Sequence, residues 1–435
     1  MFLTWIKQFF KLNTPINKPC FYIGLALMFS ISVSRIGLSF LNNTILGDFF
    51  CHVDFTHAVS QRLDPYDLKN LCFSTKKWDD ALIIFPGIFF FYQPFLLLTL
   101  QAGKVLDVTL NFLTSCGLFF LFFKNAGLFK GISFKRPDIR AFLVFFLGFM
   151  FINSSPVMMT TRHGQVTMFF TVFLLLTLYA KHYWSRVLFF GLAAGIKYSM
   201  ITIFAPALFL KKYYLTCILA FGVFLFIAVF PVFWGNNPIT IYSRYLDVLR
   251  GDLGSGFNTY AVSGYNMLHL EFFKYNGFNI MLKAICGLLA LYIIFKDRNK
   301  DSFGMNFLFV IMCLSMLLSY HRLYDTPLIM LCLLANFYLF ILNKDWKNIL
   351  ISAAFIAFSM VPFSVVMNLA QIIAGVPHVA DIFIVSRYFK ITVFPLPAII
   401  FLLLSTYAAL IYFRRPEKII FELKVPRIQE KQNAE

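Results

Sequence analysis

The polar side chains that break the apolar pattern of this chain fall into four groups. The first is Asp48, Asp54 and His57, in a stretch that closes on Asp64-Pro65-Tyr66 and follows the apolar run 20–42. The second is Arg162, His163 and Gln165. The third is Lys197, set inside the apolar run 187–210, and the fourth is His321, Arg322, Tyr324 and Asp325 in a very short loop. Carboxylates, imidazoles and cations are the groups that move protons and hold anions. A carboxylate such as Asp48 at the mouth of a membrane span costs solvation energy unless it is exposed, paired or used. Plainer readings stand beside the chemical ones. Asp48 can cap a helix. Asp54 lies six residues on, not one helical turn away, and reads as a surface residue; His52 and His57 read as surface or interface residues. Asp64-Pro65-Tyr66 has the composition of a structural turn. Arg162 can sit in the head-group layer, and Asp325 can favour a helix N-terminus.

The elements that must position these groups are helices in a bilayer. Of 435 residues, 60% are hydrophobic and 13% charged, against about 25% charged in a soluble domain. Apolar runs lie near 20–42, 83–102, 105–123, 141–158, 166–180, 187–210, 214–233, 277–296, 303–320, 326–342, 347–372 and 393–413. They are continuous rather than alternating, which excludes a β-barrel. The first run lacks a small-residue cleavage site and reads as a retained span. The expected fold is an all-α polytopic membrane protein with about 10–13 membrane helices and helices in its outer loops. One transmembrane domain covers 1–413, and 414–435 is a cytoplasmic tail. The net charge of +18 does not point to nucleic acid, because the basic residues sit in short loops, where they set orientation and touch anionic lipids. The 58 phenylalanines read as lipid-facing filler. Eight scattered cysteines form no Cys-x-x-Cys pair; Cys51 and Cys72 share the first polar loop and can pair in an oxidising compartment.

The positive-inside rule orders these runs. Lys7, Lys11 and Lys18 place the N-terminus in the cytoplasm, and the loop 43–82, with six aspartates against four basic residues, outside. The basic loop 124–140 belongs inside, so one of the two runs before it fails to cross. The run 83–102, broken by Pro86-Gly87 and Pro94, reads as a shallow outer helix. The run 187–210 is flanked by Lys181 and Arg186 on one side and Lys211 and Lys212 on the other. It reads as a hairpin of two short helices with Lys197 near the tip, since ten helical residues span only about 15 Å. The segments 154–165, 235–276, 320–325 and 373–392 then lie outside, and 296–300, 344–347 and the tail inside. All four polar groups gather on the outer side, as in a cavity that sets carboxylates beside cations.

The order of these motifs resembles a family. Asp48-Phe49, then Ala58, then Asp64-Pro65-Tyr66 is similar to the first outer loop of the polyprenol-phosphate-mannose-dependent mannosyltransferases of the GT-C superclass (glycosyltransferase family 87). Arg162-His163-Gly164-Gln165-Val166, after Ser155-Pro156, resembles their Gly-Gln element. Gly191-Leu-Ala-Ala-Gly-Ile-Lys197 resembles their Gly-rich helix ending in lysine, and Ser319-Tyr320-His321-Arg322-Leu323-Tyr324-Asp325 their Tyr-Asp loop. The resemblance covers about residues 20–345. The chain departs from it at His52-Val53, where an aromatic pair is usual, at Arg62, where glycine is usual, and at Tyr198, where proline is common.

The resemblance implies a GT-C-type integral membrane glycosyltransferase. It moves a sugar, mannose or another hexose or pentose, from a polyprenyl-phosphate donor to a glycolipid or surface-glycan acceptor. It implies Asp48 as the base that takes the acceptor's proton. Lys197, Arg162 and Arg322 would hold the donor phosphate. Gln165, His163, Asp54, His321, Tyr324 and Asp325 would contact sugar or acceptor. No metal or other cofactor is indicated, although Asp48 and Asp54 could bind a divalent cation. The expected place is the inner membrane of a bacterium, with both termini cytoplasmic and the site on the outer face. A transporter or flippase is the alternative, since an intramembrane lysine and broken helices also occur there; against it, the charges cluster on one side and no inverted repeat is visible.

Overall fold

The structure is a computed structural model that describes residues 12, 14–41, 47–71, 73–74, 84–197, 201, 204–211, 213–250, 276–300, 302–318, 326–360, 396–415 and 419–422. Cys72, His321, Arg322, Tyr324 and Asp325 lie outside the described residues. The fold is all-α. In chain order the helices are α1 (Lys18–Leu41), α2 (Gly47–Ser60), α3 (Ile88–Tyr92), α4 (Leu100–Asn125), α5 (Ile139–Asn153), α6 (Ser155–His163), α7 (Thr167–Tyr179) and α8 (Tyr183–Ile196). There follow α9 (Phe204–Leu210), α10 (Tyr214–Val229), α11 (Pro238–Arg250), α12 (Asn276–Asp297), α13 (Met305–Leu318), α14 (Pro327–Leu342), α15 (Trp346–Met360) and α16 (Leu396–Arg414). A short antiparallel ladder joins β1 (Ser302–Gly304) to β2 (Ile420–Glu422), with Phe303 opposite Phe421.

Local chemistry sets the ends of these helices. Thr99 accepts a hydrogen bond from Ala102 N at 3.2 Å and starts α4. Asp138 accepts from Ala141 N at 2.8 Å and starts α5. The run 141–158, read as one segment, is instead bent by 47° between α5 and α6. Pro156 lies in the first turn of α6 and lacks the N–H that would continue α5.

Among the described residues, three helices are long and apolar enough to cross a bilayer unaided: Lys18–Gly37, Leu100–Asn125 and Tyr214–Trp234. Others, such as Thr167–Tyr179, Met305–Leu318 and Pro327–Leu342, are apolar but shorter, so the expected ten to thirteen spans count short helices with long ones. The core lies around α13 and α14, which are buried on nearly every face. The rim is apolar and exposed: Phe29, Ile218 and Leu288 are 63%, 58% and 67% accessible. A helix that is apolar on both its packed and its exposed face belongs in lipid.

Contacts between distant segments sort the loops to two ends. At one end Pro15 bridges to Asp138, Arg140 Nε donates to the Tyr338 hydroxyl at 2.7 Å, and Arg415 pairs with Asp345. Lys211 Nζ meets Asp297 Oδ2 at 3.0 Å there, and also donates to the carbonyls of Asp297, Lys300 and Ser302. At the other end Asn236 Nδ2 donates to Val59 O at 2.8 Å, Arg62 Nε to Trp234 O at 2.9 Å, and Arg244 pairs with Asp64 at 3.3 Å. These are the two sets of loops that the charge pattern separated.

Both corrections to the simple span count agree with this sorting. The run 83–102 is broken into α3 and a 3-10 turn at Gln93–Leu97, too short to cross. The helices α8 and α9 are separate, and Lys211 after α9 lies at the end opposite Lys197.

Candidate active site

The site is assembled where the start of α2 meets the turn between α6 and α7. Asp48 lies in the first turn of α2, where the helix dipole favours a carboxylate. The next residue, Phe49, is buried and pulls that turn into the protein. It rests on Gly164, which ends α6 in the left-handed conformation at φ +68°. A Cβ at Gly164 would stand 2.5 Å from Phe49 Cβ, 3.2 Å from Phe49 Cα and 2.8 Å from Asp107 Oδ2. Glycine is therefore required twice, by conformation and by space. The contact sets His163 Nδ1 3.9 Å from Asp48 Oδ2, with Asp48 28% and His163 40% accessible.

Lys197 reaches the same end by a second close approach. Cβ atoms at Gly191 and Gly195 would lie 2.4 Å from Val223 Cβ and 2.7 Å from Ile227 Cδ1. This stripe of small residues lets α8 lie against α10. Lys197, just past the end of α8, donates from Nζ to Thr167 Oγ1 at 3.2 Å, beside the start of α7. His52, one turn after Asp48, lies within electrostatic range of both Asp48 and Lys197. Burial pushes its imidazole down to about 4; Asp48 opposes that shift and Lys197 adds to it. At neutral pH His52 is therefore uncharged, its ring tilted against Tyr92 at 4.7 Å.

The remaining expected residues fall as follows. Arg162 is half-buried on α6; Gln165 is buried, and its backbone N donates to Thr160 O at 3.0 Å. Asp54 is corrected: it is fully buried rather than at the surface, accepting from Ser74 N at 2.6 Å and Ser74 Oγ at 2.5 Å. Its place on α2 is about 120° around the helix from Asp48, and its carboxylate ties down the loop at Ser74. Of the two readings for His52, surface or interface, the buried position against Tyr92 matches the second. Asp64-Pro65-Tyr66 is a turn, as its composition implied: Tyr66 N donates to Asp64 Oδ1 at 2.9 Å and the Tyr66 hydroxyl to Ile84 O at 2.7 Å. Arg62 adopts φ +59°, the conformation that suits glycine, and its hydrogen bond to Trp234 O secures it there.

Three residues at this end were not singled out from sequence. Arg35 on α1 donates to Asn153 O and Oδ1 at 3.3 Å and lies in electrostatic range of Arg162. Asp107 on α4 is fully buried beneath Gly164. Tyr92 donates to Gly164 O at 3.1 Å. Arg35 and Asp107 carried a signal, a charge inside an apolar run; Tyr92 carried none. Taken together, a partly exposed carboxylate beside an imidazole, at the same end as Lys197 and Arg162, can take a proton from a hydroxyl while an anionic group is held nearby.

The profile of glycosyltransferase family 87 matches residues 86–319, more than half of the chain. The matched stretch includes Tyr92, Asp107, Arg162, His163, Gln165 and Lys197, and begins after Asp48. No curated protein matches the chain.

Proposed function

Because the chain belongs to glycosyltransferase family 87, and is therefore a glycosyltransferase of the membrane, we propose that it transfers a sugar from a polyprenyl-phosphate donor to a glycolipid or glycan acceptor with Asp48 as the general base. The observation that carries this reading is Asp48 itself: partly exposed and 3.9 Å from His163, with His52, one turn on, in electrostatic range of both Asp48 and Lys197. The acceptor oxygen attacks the anomeric carbon as the bond to the lipid phosphate breaks. The phosphate leaves with the electron pair, and the hydroxyl proton passes to Asp48 and then to water. Lys197 and Arg162 hold the departing phosphate, Lys as a point charge and Arg in bidentate fashion; Arg322 joins them in this reading. Negative charge grows on that phosphate in the transition state, so cations there lower the barrier. His163 and Gln165 flank the sugar, with His321, Tyr324 and Asp325 completing the acceptor side. A single displacement inverts the anomeric carbon, and a β-linked lipid phosphate gives an α-glycoside. The site faces outward from the inner membrane, and both termini are cytoplasmic.

The test is transfer by the purified chain in lipid, with radiolabelled polyprenyl-phosphate mannose and a membrane-lipid extract as acceptor. Asp48→Asn is expected to lower kcat by about 10²–10⁴-fold with the thermal unfolding profile unchanged. Undiminished transfer by Asp48→Asn would remove Asp48 from the mechanism. No transfer from any polyprenyl-phosphate sugar would remove the donor class.

A further inference from the structure

We propose that Asp107 is a positioning residue for this site: through Tyr92 and the Gly164 turn it fixes where Asp48 and His163 stand relative to one another. The proposal rests on the reading of Asp48 as base. It starts from an anomaly. Lys104, Asp107, Asn111 and Ser115 are all buried, and their spacing of three, four and four puts them on one face of α4, a helix long and apolar enough to span a bilayer. A fully buried carboxylate there is expensive to keep. Leucine would fill similar space without that cost.

The contacts of Asp107 show what the carboxylate holds. Its Oδ2 accepts from Asn111 Nδ2 at 3.3 Å, which fixes the side-chain rotamer along α4. The Tyr92 hydroxyl is hydrogen-bonded to the same carboxyl. Oδ2 also lies 2.8 Å from where a Gly164 Cβ would be, so the carboxyl forms the floor of that turn. Its other oxygen, Oδ1, is enclosed with no hydrogen-bond partner among the described residues. Tyr92 in turn touches everything that must stay in register. Its hydroxyl donates to Gly164 O at 3.1 Å, its ring packs 4.7 Å from His52, and Phe49 lies 6.2 Å away. Asp107 and Tyr92 thus join α4, α3, the first turns of α2 and the α6–α7 turn. Asp48 adjoins Phe49, and His163 adjoins Gly164. A shift at Asp107 therefore moves the carboxylate and the imidazole apart, while the backbone of Lys197, bonded to Ala193 O on α8, stays in place.

The test uses the full chain in lipid with Asp107→Leu, Asp107→Asn, Tyr92→Phe and the double variant Tyr92→Phe/Asp107→Leu. Transfer from polyprenyl-phosphate mannose and hydrogen exchange at the Gly164 and Gln165 amides, both bonded to Thr160 O, are read together. Expected for Asp107→Leu are a kcat lower by about 10²-fold, the consequence of a misplacement near 1 Å, an unchanged KM, and faster exchange at the two amides. Asp107→Asn, whose amide can still hydrogen-bond the Tyr92 hydroxyl, loses no more than about tenfold, and the double variant is no worse than Asp107→Leu alone. Four results would each overturn the proposal: unchanged kcat, a change in KM alone, additive losses in the double variant, or Asp107→Asn as inactive as Asp107→Leu, which would make the carboxyl's own proton chemistry the point. If Asp107→Leu fails to fold, Asp107→Asn and Tyr92→Phe carry the same comparison. If the wild type transfers from no polyprenyl-phosphate sugar, the reaction assigned above fails separately. The exchange comparison then decides alone, and unchanged protection at Gly164 and Gln165 overturns the role of Asp107.

Discussion

Replacing Gly164 by alanine should damage both stability and turnover, and the size of each effect follows from the packing. Alanine at φ +68° occupies a conformation that costs an L-residue about 1–2 kcal/mol. Its Cβ would lie 2.5 Å from Phe49 Cβ, whereas carbon atoms in contact sit roughly 3.5–4.0 Å apart. Phe49 must therefore retreat by about 1 Å. It cannot do so freely, because the second contact is Phe49 Cα at 3.2 Å, which is backbone, and the third is the carboxyl of Asp107. Overpacking of this kind costs about 1–3 kcal/mol, so the total destabilisation is roughly 2–5 kcal/mol. Asp48 moves with Phe49, and a displacement near 1 Å lowers kcat by about 10²-fold. The assay is thermal unfolding in detergent together with transfer kinetics. Gly117→Ala is the control. Gly117 sits in α4 with nothing within 4 Å of its would-be Cβ, and alanine in a helix should gain about 0.5–1 kcal/mol. If Gly164→Ala unfolds and turns over like Gly117→Ala, the close approach between the α6–α7 turn and Phe49 does not exist, and the placement of Asp48 beside His163 goes with it.

Stability should depend on pH through His52. Its imidazole is pushed down to about 4 by burial, against 6.5 unfolded. Between those values the unfolded chain binds the extra proton, so stability is full above about pH 6.5, falls as pH drops, and levels off below about pH 4, a loss of about 3 kcal/mol. Unfolding measured across that range should flatten in His52→Phe; an equal slope in both proteins would show that His52 is not buried uncharged. At the opposite end, Lys211→Met strands Asp297, a carboxylate that is 1% accessible and keeps Lys300 Nζ at 2.6 Å. Breaking a buried pair costs about 3–5 kcal/mol, and Lys300 places this case near the low end. The unfolding temperature should fall while kcat of the folded protein is retained. A loss of kcat at unchanged stability would mean that the two ends are coupled.

The fold class and the sorting of loops were readable along the chain because both are local properties. Apolar runs are set by composition over one helix length, and orientation by the basic residues that flank them. Pro86-Gly87 with Pro94, and Lys197 inside its run, marked the two places where the simple span count fails. The Asp64-Pro65-Tyr66 turn was readable for the same reason, since its hydrogen bonds close within a few residues. Asp48, Arg162, His163 and Lys197 stood out because charge in or beside an apolar run demands an explanation.

What spacing could not supply was the partner of each side chain. Asp54 looked like a surface residue until Ser74, twenty positions away, took both of its oxygens. Nothing local distinguishes Tyr92 from other aromatics in its segment, yet its hydroxyl meets a carbonyl 72 residues on. The glycines at 164, 191 and 195 marked possible turns or close approaches, but the atoms they admit, from Phe49, Val223 and Ile227, belong to other helices. The sequence by itself determined a helical membrane protein with its candidate site residues collected at one end. Only the tertiary structure decided which of those groups face one another, because that depends on how closely helices approach, and close approach is set by atoms that lie far apart along the chain.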